Sequence, residues 1–325
     1  MNAYIECCQR YVGQQKTALI WEGKNGESEQ WSFEQLDVAS AQLANYFKSI
    51  GIQVGDCIAG LLPRTPELLI TILATWRIGA IYQPLFTAFE SKAIEHRVLT
   101  ANTKLIVTNA EQRPKLNHVE VKHILTVNAG TNLASNEADF WQEAKQQSDQ
   151  CEAVLRSFDD DFLMMFTSGT TGLAKSVPVP LKAVLAFKGY MQHAVDLRED
   201  DSFWNLADPG WAYGLYYGIT GPLSLGHSII MDERAFSVDH AVEVIKKYRV
   251  SNLTGSPTAF RMFFGFKEKF DPSIKTHLLA VSSAGEPLTP EVIHWFNNEL
   301  NVNIYDQYGQ TELGMVIANH HALEH

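Results

Sequence analysis

The chain is expected to be an α/β protein of two doubly wound units, residues 1–150 and 151–325, and three observations support that reading. Apolar runs of strand length alternate with segments of helical period along nearly the whole chain. Strands and helices taken in turn imply a parallel sheet covered on both faces. The most distinctive loops follow strands, which is where open α/β sheets bind their ligands.

Taken in order, the first strong helix opens at Trp31-Ser32-Phe33-Glu34-Gln35. Ser32 supplies a cap, Gln35 stands at the capping-box position, and Leu36, Ala39, Leu43, Phe47 and Ile50 keep a helical period. Gly51 suits the position just past its end. Residues 57–62 read as a buried strand, and Thr65, Pro66 and Glu67 as the cap and first positions of a second helix ending near Gly79. A strand near Ile81, a helix over 90–100, strands over 104–108 and 123–127 and a helix over 137–147 follow. Residues 146–156 are polar and unpatterned, and are taken as the connector between the units. Arg64 and Arg77 are assigned to surface ion pairs.

Beyond residue 177 the pattern predicts helices over 181–193, 237–248, 257–266 and 290–300. Strands are expected over 202–206, 228–231, 252–253, 278–282 and 303–305, with an apolar stretch over 211–225. There is no internal repeat and no low-complexity segment.

At 325 residues, 46% apolar and 19% charged, the composition is that of a globular protein with one large core or two smaller ones. The formal net charge of −11 opposes nucleic-acid binding, which runs on clustered Lys and Arg. Any anionic ligand must therefore be held by a local site. Cys7, Cys8, Cys57 and Cys151 form neither a CxxC pair nor a regular framework, which points to a reducing compartment, the cytoplasm. The start MNAYIECCQR lacks the features of a signal peptide. The longest apolar run, 68–76, is far below the roughly 20 residues a membrane span needs.

The chemistry concentrates at 162–177, FLMMFTSGTTGLAKSV. A strand-like run ends in a loop of glycines and hydroxyls, and Lys175 follows. Such a loop can point backbone N–H groups and hydroxyls at one anion while the lysine adds a point charge. Loops of this composition are commonly plain solvated turns. A Walker A loop needs glycine directly before its lysine, and Ala174 stands there, so a P-loop kinase or ATPase is disfavoured.

The string TSGTTGLAK closely resembles the phosphate loop of the adenylate-forming superfamily, which includes acyl-CoA synthetases, luciferases and peptide-synthetase adenylation domains. The resemblance implies that Thr167, Ser168, Gly169, Thr170, Thr171, Gly172 and Lys175 cradle the phosphates of ATP, with Thr167, Lys175 and the later Glu312 catalytic. Tyr305-Asp306-Gln307-Tyr308-Gly309-Gln310-Thr311-Glu312 resembles the superfamily's YGxTE motif. By that likeness Tyr308 lies against adenine, Thr311 contacts phosphate, Glu312 holds Mg²⁺, and Asp306 or Gln307 lies near the adenine amino group. Those residue types suit those roles: a flat π-face, a hydroxyl, and a hard oxygen for a hard cation. Ala284-Gly285-Glu286-Pro287 resembles the segment whose backbone lines the adenine pocket, although alone it would read as an ordinary helix entry.

Asp208-Pro209-Gly210-Trp211 resembles the DxGW segment of short- and medium-chain acyl-CoA synthetases, so Trp211, Ala284 and Gly309 are expected to wall the acyl pocket. Tyr213, Tyr216 and Tyr217 are assigned to the core. Acetate-specific relatives carry tryptophan where this chain has Gly309. A glycine there is expected to leave room for additional methylenes, each worth about 0.8 kcal/mol when buried. The segments LPRTPE and TWRIGAIYQPLF extend the likeness upstream, so it covers essentially the whole chain.

The resemblance implies an AMP-forming acyl-CoA synthetase acting on a short- or medium-chain carboxylic acid, with ATP, Mg²⁺ and coenzyme A. The expected fold is then its N-terminal domain, with two α/β subdomains and without the superfamily's β-barrel and C-terminal domain. The second subdomain, 151–325, would carry the nucleotide loops. A separate C-terminal domain, or a second copy of the chain, would be the protein partner. The competing reading is a non-catalytic ATP- or AMP-binding fragment that needs a separate C-terminal domain. The histidines 320, 321 and 325 are not assigned to a metal site.

Overall fold

The computed structural model describes residues 1–131, 133–167, 172–268 and 271–321. In chain order the elements are α1 (Ala3–Cys7), β1 (Thr17–Glu22), β2 (Ser28–Ser32), α2 (Phe33–Ser49), β3 (Cys57–Leu61), α3 (Pro66–Arg77), β4 (Ile81–Pro84) and α4 (Ser91–Thr100). Next come β5 (Leu105–Asn109), β6 (His123–Val127), β7 (Glu137–Asp139), α5 (Phe140–Lys145), β8 (Asp161–Thr167), β9 (Lys175–Pro180), α6 (Ala183–His193) and β10 (Phe203–Asn205). The remainder is α7 (Ala212–Gly214), a π-helical turn (Leu215–Thr220), α8 (Gly221–Ser224), β11 (Ile229–Asp232), α9 (Val238–Tyr248), β12 (Asn252–Gly255), α10 (Pro257–Gly265), β13 (Ala280–Ala284), α11 (Pro290–Leu300), β14 (Ile304–Gln310) and β15 (Gly314–Ala318). None of these helices is long and apolar enough to cross a membrane.

Contacts group the chain into two compact units. The first is Met1–Ala18 with Gln30–Ala183, the second Leu19–Glu29 with Val184–His325. This moves the expected division at 150/151. β8 runs parallel to β4, Tyr82 opposite Leu163, so the strand leading into the phosphate loop belongs to the first unit rather than the second. The polar connector also stays there, since Val154 donates its N–H to Arg77 O. Conversely, Leu19–Glu22 pairs in parallel with Ile229–Asp232, and that short early segment joins the second unit.

The sheet of the first unit has the order β7-β6-β5-β3-β4-β8-β9, parallel except for β9. One face packs Leu61, Ile106 and Ile124 against Ile94 and Val98 of α4. α3 is buried all round, as its apolar sequence requires, with Trp76 Nε1 donating to Phe162 O at 3.2 Å. α2 starts on the expected capping box: Ser32 Oγ accepts from Gln35 N at 3.2 Å and Gln35 Oε1 from Ser32 N at 2.8 Å.

Arg77 is not on the surface. It is 5% exposed, pairs with Asp37 at 2.9 Å, donates to Cys151 O at 2.6 Å and lies over the Tyr4 ring. The apolar sequence of α3 draws the guanidinium inside, where these acceptors satisfy it. The expected helix over 137–147 is shorter, because Glu137–Asp139 pairs with β6 as β7 and Asp139 then caps α5.

In the second unit β10, β12, β13 and β14 are parallel in that order and β15 closes the edge antiparallel to β14. Leu253, Val281 and Ile304 pack on Phe260, Phe263 and Phe296 of the covering helices. The expected three-residue strand over 303–305 is the start of a strand running to Gln310. The four cysteines are buried, and none is in a disulfide.

Candidate functional site

In the first unit the segment expected to cradle phosphate lies between the two strands of one hairpin. Thr167 ends β8, Lys175 opens β9, and the two stand opposite each other in the antiparallel register. Ser168, Gly169, Thr170 and Thr171 lie outside the described residues. Lys175 is exposed, and so is Gly172. The architecture is strand–loop–strand, whereas a P-loop runs from a strand into a helix. Among the described residues no helix begins at this loop, so no helix dipole would add to the charge of Lys175. α4 braces both flanks of the loop. Arg97 lies 5.6 Å over the Phe166 ring, and His96 Nε2 meets Ala174 O at 2.8 Å.

In the second unit, parallel strands end side by side and their loops surround a cavity of about 630 Å³. Ala284, Gly285, Glu286, Gly309, Thr311 and Trp211 all line it, so three separate sequence segments converge there. Cross-strand register places Ala284, the last residue of β13, opposite Gln307 in the middle of β14. Trp211 stands at a tight turn, where Asp208 Oδ1 accepts from Gly210 N at 2.7 Å and Asp208 O from Trp211 N at 3.0 Å. Its side chain is 45% exposed at the cavity wall.

The polar groups divide into those already engaged and those free to act. The Glu286 carboxylate pairs with Arg261 and accepts from Thr258 Oγ1 at 2.9 Å. Those two partners hold it below the usual carboxylate range. Pro287 O accepts from Arg261 Nη1 at 3.4 Å. Gln307 is buried, its Oε1 accepting from the Tyr190 hydroxyl and its Nε2 donating to Ala194 O at 3.4 Å. Its side chain is therefore committed to the core. Asp306 differs: one carboxylate oxygen is buried with no hydrogen-bond partner, and burial raises its carboxyl above the usual range.

Tyr308 leaves its ring 53% exposed, with its hydroxyl accepting from Gln310 Nε2 at 2.9 Å. Thr311 and Glu312 sit in the turn between β14 and β15, and Thr311 O accepts from Tyr216 Oη at 3.1 Å. Glu312 is exposed. Among the described residues no group of three His, Cys, Asp or Glu side chains converges. A metal at Glu312 would thus have one carboxylate and take its other ligands from phosphate and water, which is how Mg²⁺ is commonly held.

Two expectations at the cavity change. Tyr213, Tyr216 and Tyr217, assigned to the core, line the cavity wall as well, and burial raises their phenol pKa values. Gly309 does line the cavity, but it does not open onto vacant space. A Cβ there would lie 2.5 Å from Gly314 O, 2.7 Å from Met315 Sδ and 2.9 Å from Met315 Cα. Met315 is one of the lining residues the sequence reading missed, with Leu206 and Gly314. Its signal was the resumption of an apolar run, Met315 to Ile317, directly after the turn.

Residues 8–325 match the model of the AMP-binding enzyme family. The chain is 31% identical over 338 residues to acetyl-coenzyme A synthetase of Bacillus subtilis (strain 168), covering 100% of this chain and 58% of that protein. It is 31% identical over 355 residues to acetyl-coenzyme A synthetase of Deinococcus radiodurans, covering 97% of this chain and 53% of that one. Among solved structures it superposes on the Brucella canis acyl-CoA synthetase with a TM-score of 0.95 at 50% identity, covering 100% of this chain and 60% of the other. The chain thus spans a little over half the length of these relatives. With the family model matched over nearly its whole length, the chain belongs to the family of AMP-binding enzymes.

Proposed function

We propose that this chain supplies the ATP- and acid-binding part of an AMP-forming acyl-CoA synthetase acting on a short- or medium-chain carboxylic acid. The observation that carries the reading is the cavity of the second unit, where Trp211, the Ala284-Gly285-Glu286 segment and the Gly309–Thr311 segment meet around one space. The exposed ring of Tyr308 suits adenine stacking, and the unpartnered oxygen of Asp306 makes it a better acceptor for the adenine amino group than the engaged Gln307.

In the reaction a carboxylate oxygen bonds to the α-phosphorus of ATP, the α–β phosphoanhydride bond breaks, and pyrophosphate leaves. The coenzyme A thiol then attacks the acyl carbon, AMP departs with the bridging oxygen, and the thiol proton passes to solvent. No side-chain nucleophile is needed. Thr167, Thr170, Thr311 and Lys175 would position the phosphates and neutralise charge spreading over their oxygens. Glu312 would hold Mg²⁺, whose part is to neutralise phosphate charge. The buried cysteines, none of them in a disulfide, agree with a cytoplasmic setting.

Carboxylate-dependent ATP–pyrophosphate exchange, run with acids from acetate to octanoate, tests this. Exchange that needs both Mg²⁺ and a particular acid supports it. Saturable ATP binding with no exchange for any acid supports instead a nucleotide-binding unit that requires a separate C-terminal domain.

A further inference from the structure

The space beside Gly309 is filled from the neighbouring strand. Met315 lines the cavity with its sulfur where a side chain on residue 309 would begin. Its backbone is pinned: Met315 N–H donates to Tyr217 Oη at 2.8 Å, and Gly314, at φ +69°, would bring a Cβ to 3.0 Å of the same hydroxyl. Tyr217 is itself held, with ring centroids 4.3 Å from Tyr190 and 5.4 Å from Phe187. What stays adjustable is the thioether, an unbranched chain with three rotatable bonds.

We propose that Met315, rather than residue 309, sets the length of acyl group the cavity accepts, and that a pliable thioether stopper selects a graded range of straight-chain acids instead of acetate alone. This rests on the reading that the cavity holds the acid. The glycine at 309 then serves close strand approach, and the specificity has moved six residues along the chain onto the opposite strand of the hairpin.

The test is calorimetric titration of the 325-residue chain with AMP and with its ethyl, butyl, hexyl and octyl phosphate esters, unreactive stand-ins for the acyl-adenylate. Met315→Ala is expected to move the preferred ester about two methylenes longer, raising octyl-ester affinity about fifteenfold, since a buried methylene is worth about fourfold. Met315→Phe is expected to move the preference shorter. Met315→Leu, close in volume, should leave it in place, and AMP itself should bind all variants alike. If Ala and Phe variants bind AMP normally and keep the wild-type chain-length profile, Met315 is not the stopper. If the wild-type chain binds AMP but no ester more tightly than AMP, the acid-pocket reading itself fails, and the inference with it.

Discussion

Replacing Gly309 with alanine separates two accounts of why a glycine stands in the YGQTE segment. If the position opens onto spare volume, one methyl group is harmless. The structure puts that methyl 2.5 Å from Gly314 O and 2.9 Å from Met315 Cα, and both are backbone atoms that no rotamer change can clear. Only the third neighbour, Met315 Sδ at 2.7 Å, can swing aside. Relief therefore requires β14 and β15 to separate at the irregularity between Tyr308 and Gly309. Overpacking of this kind costs about 1–3 kcal/mol. For a unit of about 150 residues that lowers the melting temperature by about 2–12 °C. Gly189 is the internal control. It lies within α6 with nothing inside 4 Å of a built Cβ, so Gly189→Ala should gain about 0.5–1 kcal/mol from helix propensity alone. Thermal and urea unfolding by circular dichroism reads both. A Gly309→Ala chain as stable as wild type, beside a stabilised Gly189→Ala, would refute the close-approach argument.

Lys175→Ala should weaken ATP binding about tenfold or more while sparing AMP, because a charge-assisted contact to the outer phosphates is lost; equal losses for both nucleotides would place the lysine elsewhere. Arg77→Leu strands the Asp37 carboxylate and should cost about 3–5 kcal/mol in urea unfolding, whereas a surface pair would cost under about 1 kcal/mol. Burial beside Ser282 and Tyr305 lowers the His321 imidazole to about 4. Its folded value lies below the unfolded one, so its contribution is intact above about pH 6.5 and is lost as pH falls toward 4. His321→Asn should therefore flatten the acid limb of the stability profile, and unchanged acid sensitivity in that variant would remove His321 as the cause.

Much of the fold was legible because the local signals agreed with one another. Ser32 and Gln35 announced α2, Pro66 opened α3, and the continuous apolar strands demanded a sheet covered on both faces. What escaped was decided by partners distant in sequence. Nothing near Leu19 says that it will pair with Ile229, although Asn25-Gly26 was an overlooked hairpin signal. The second strands of both functional hairpins, β9 and β15, hid behind Gly-rich motifs that read as loop. At the site, the segments were singled out by their likeness to the adenylate-forming superfamily, whose roles their residue types suit. Gln307 and Asp306 could not be told apart, since only packing commits one to Tyr190 and leaves the other an open oxygen. Gly309 misled for the same reason: an absent side chain signals either free space or a neighbour already in it.

The proposed first step is attack of a carboxylate on the α-phosphate of ATP. Supplying the chain with a doubly ¹⁸O-labelled acid, Mg²⁺, ATP and coenzyme A, and weighing the nucleotide product by mass spectrometry, tests it directly. The account predicts AMP carrying one ¹⁸O atom, because cleavage at the acyl carbon leaves the bridging carboxylate oxygen on phosphorus. Unlabelled AMP, or ADP as the product, would contradict it.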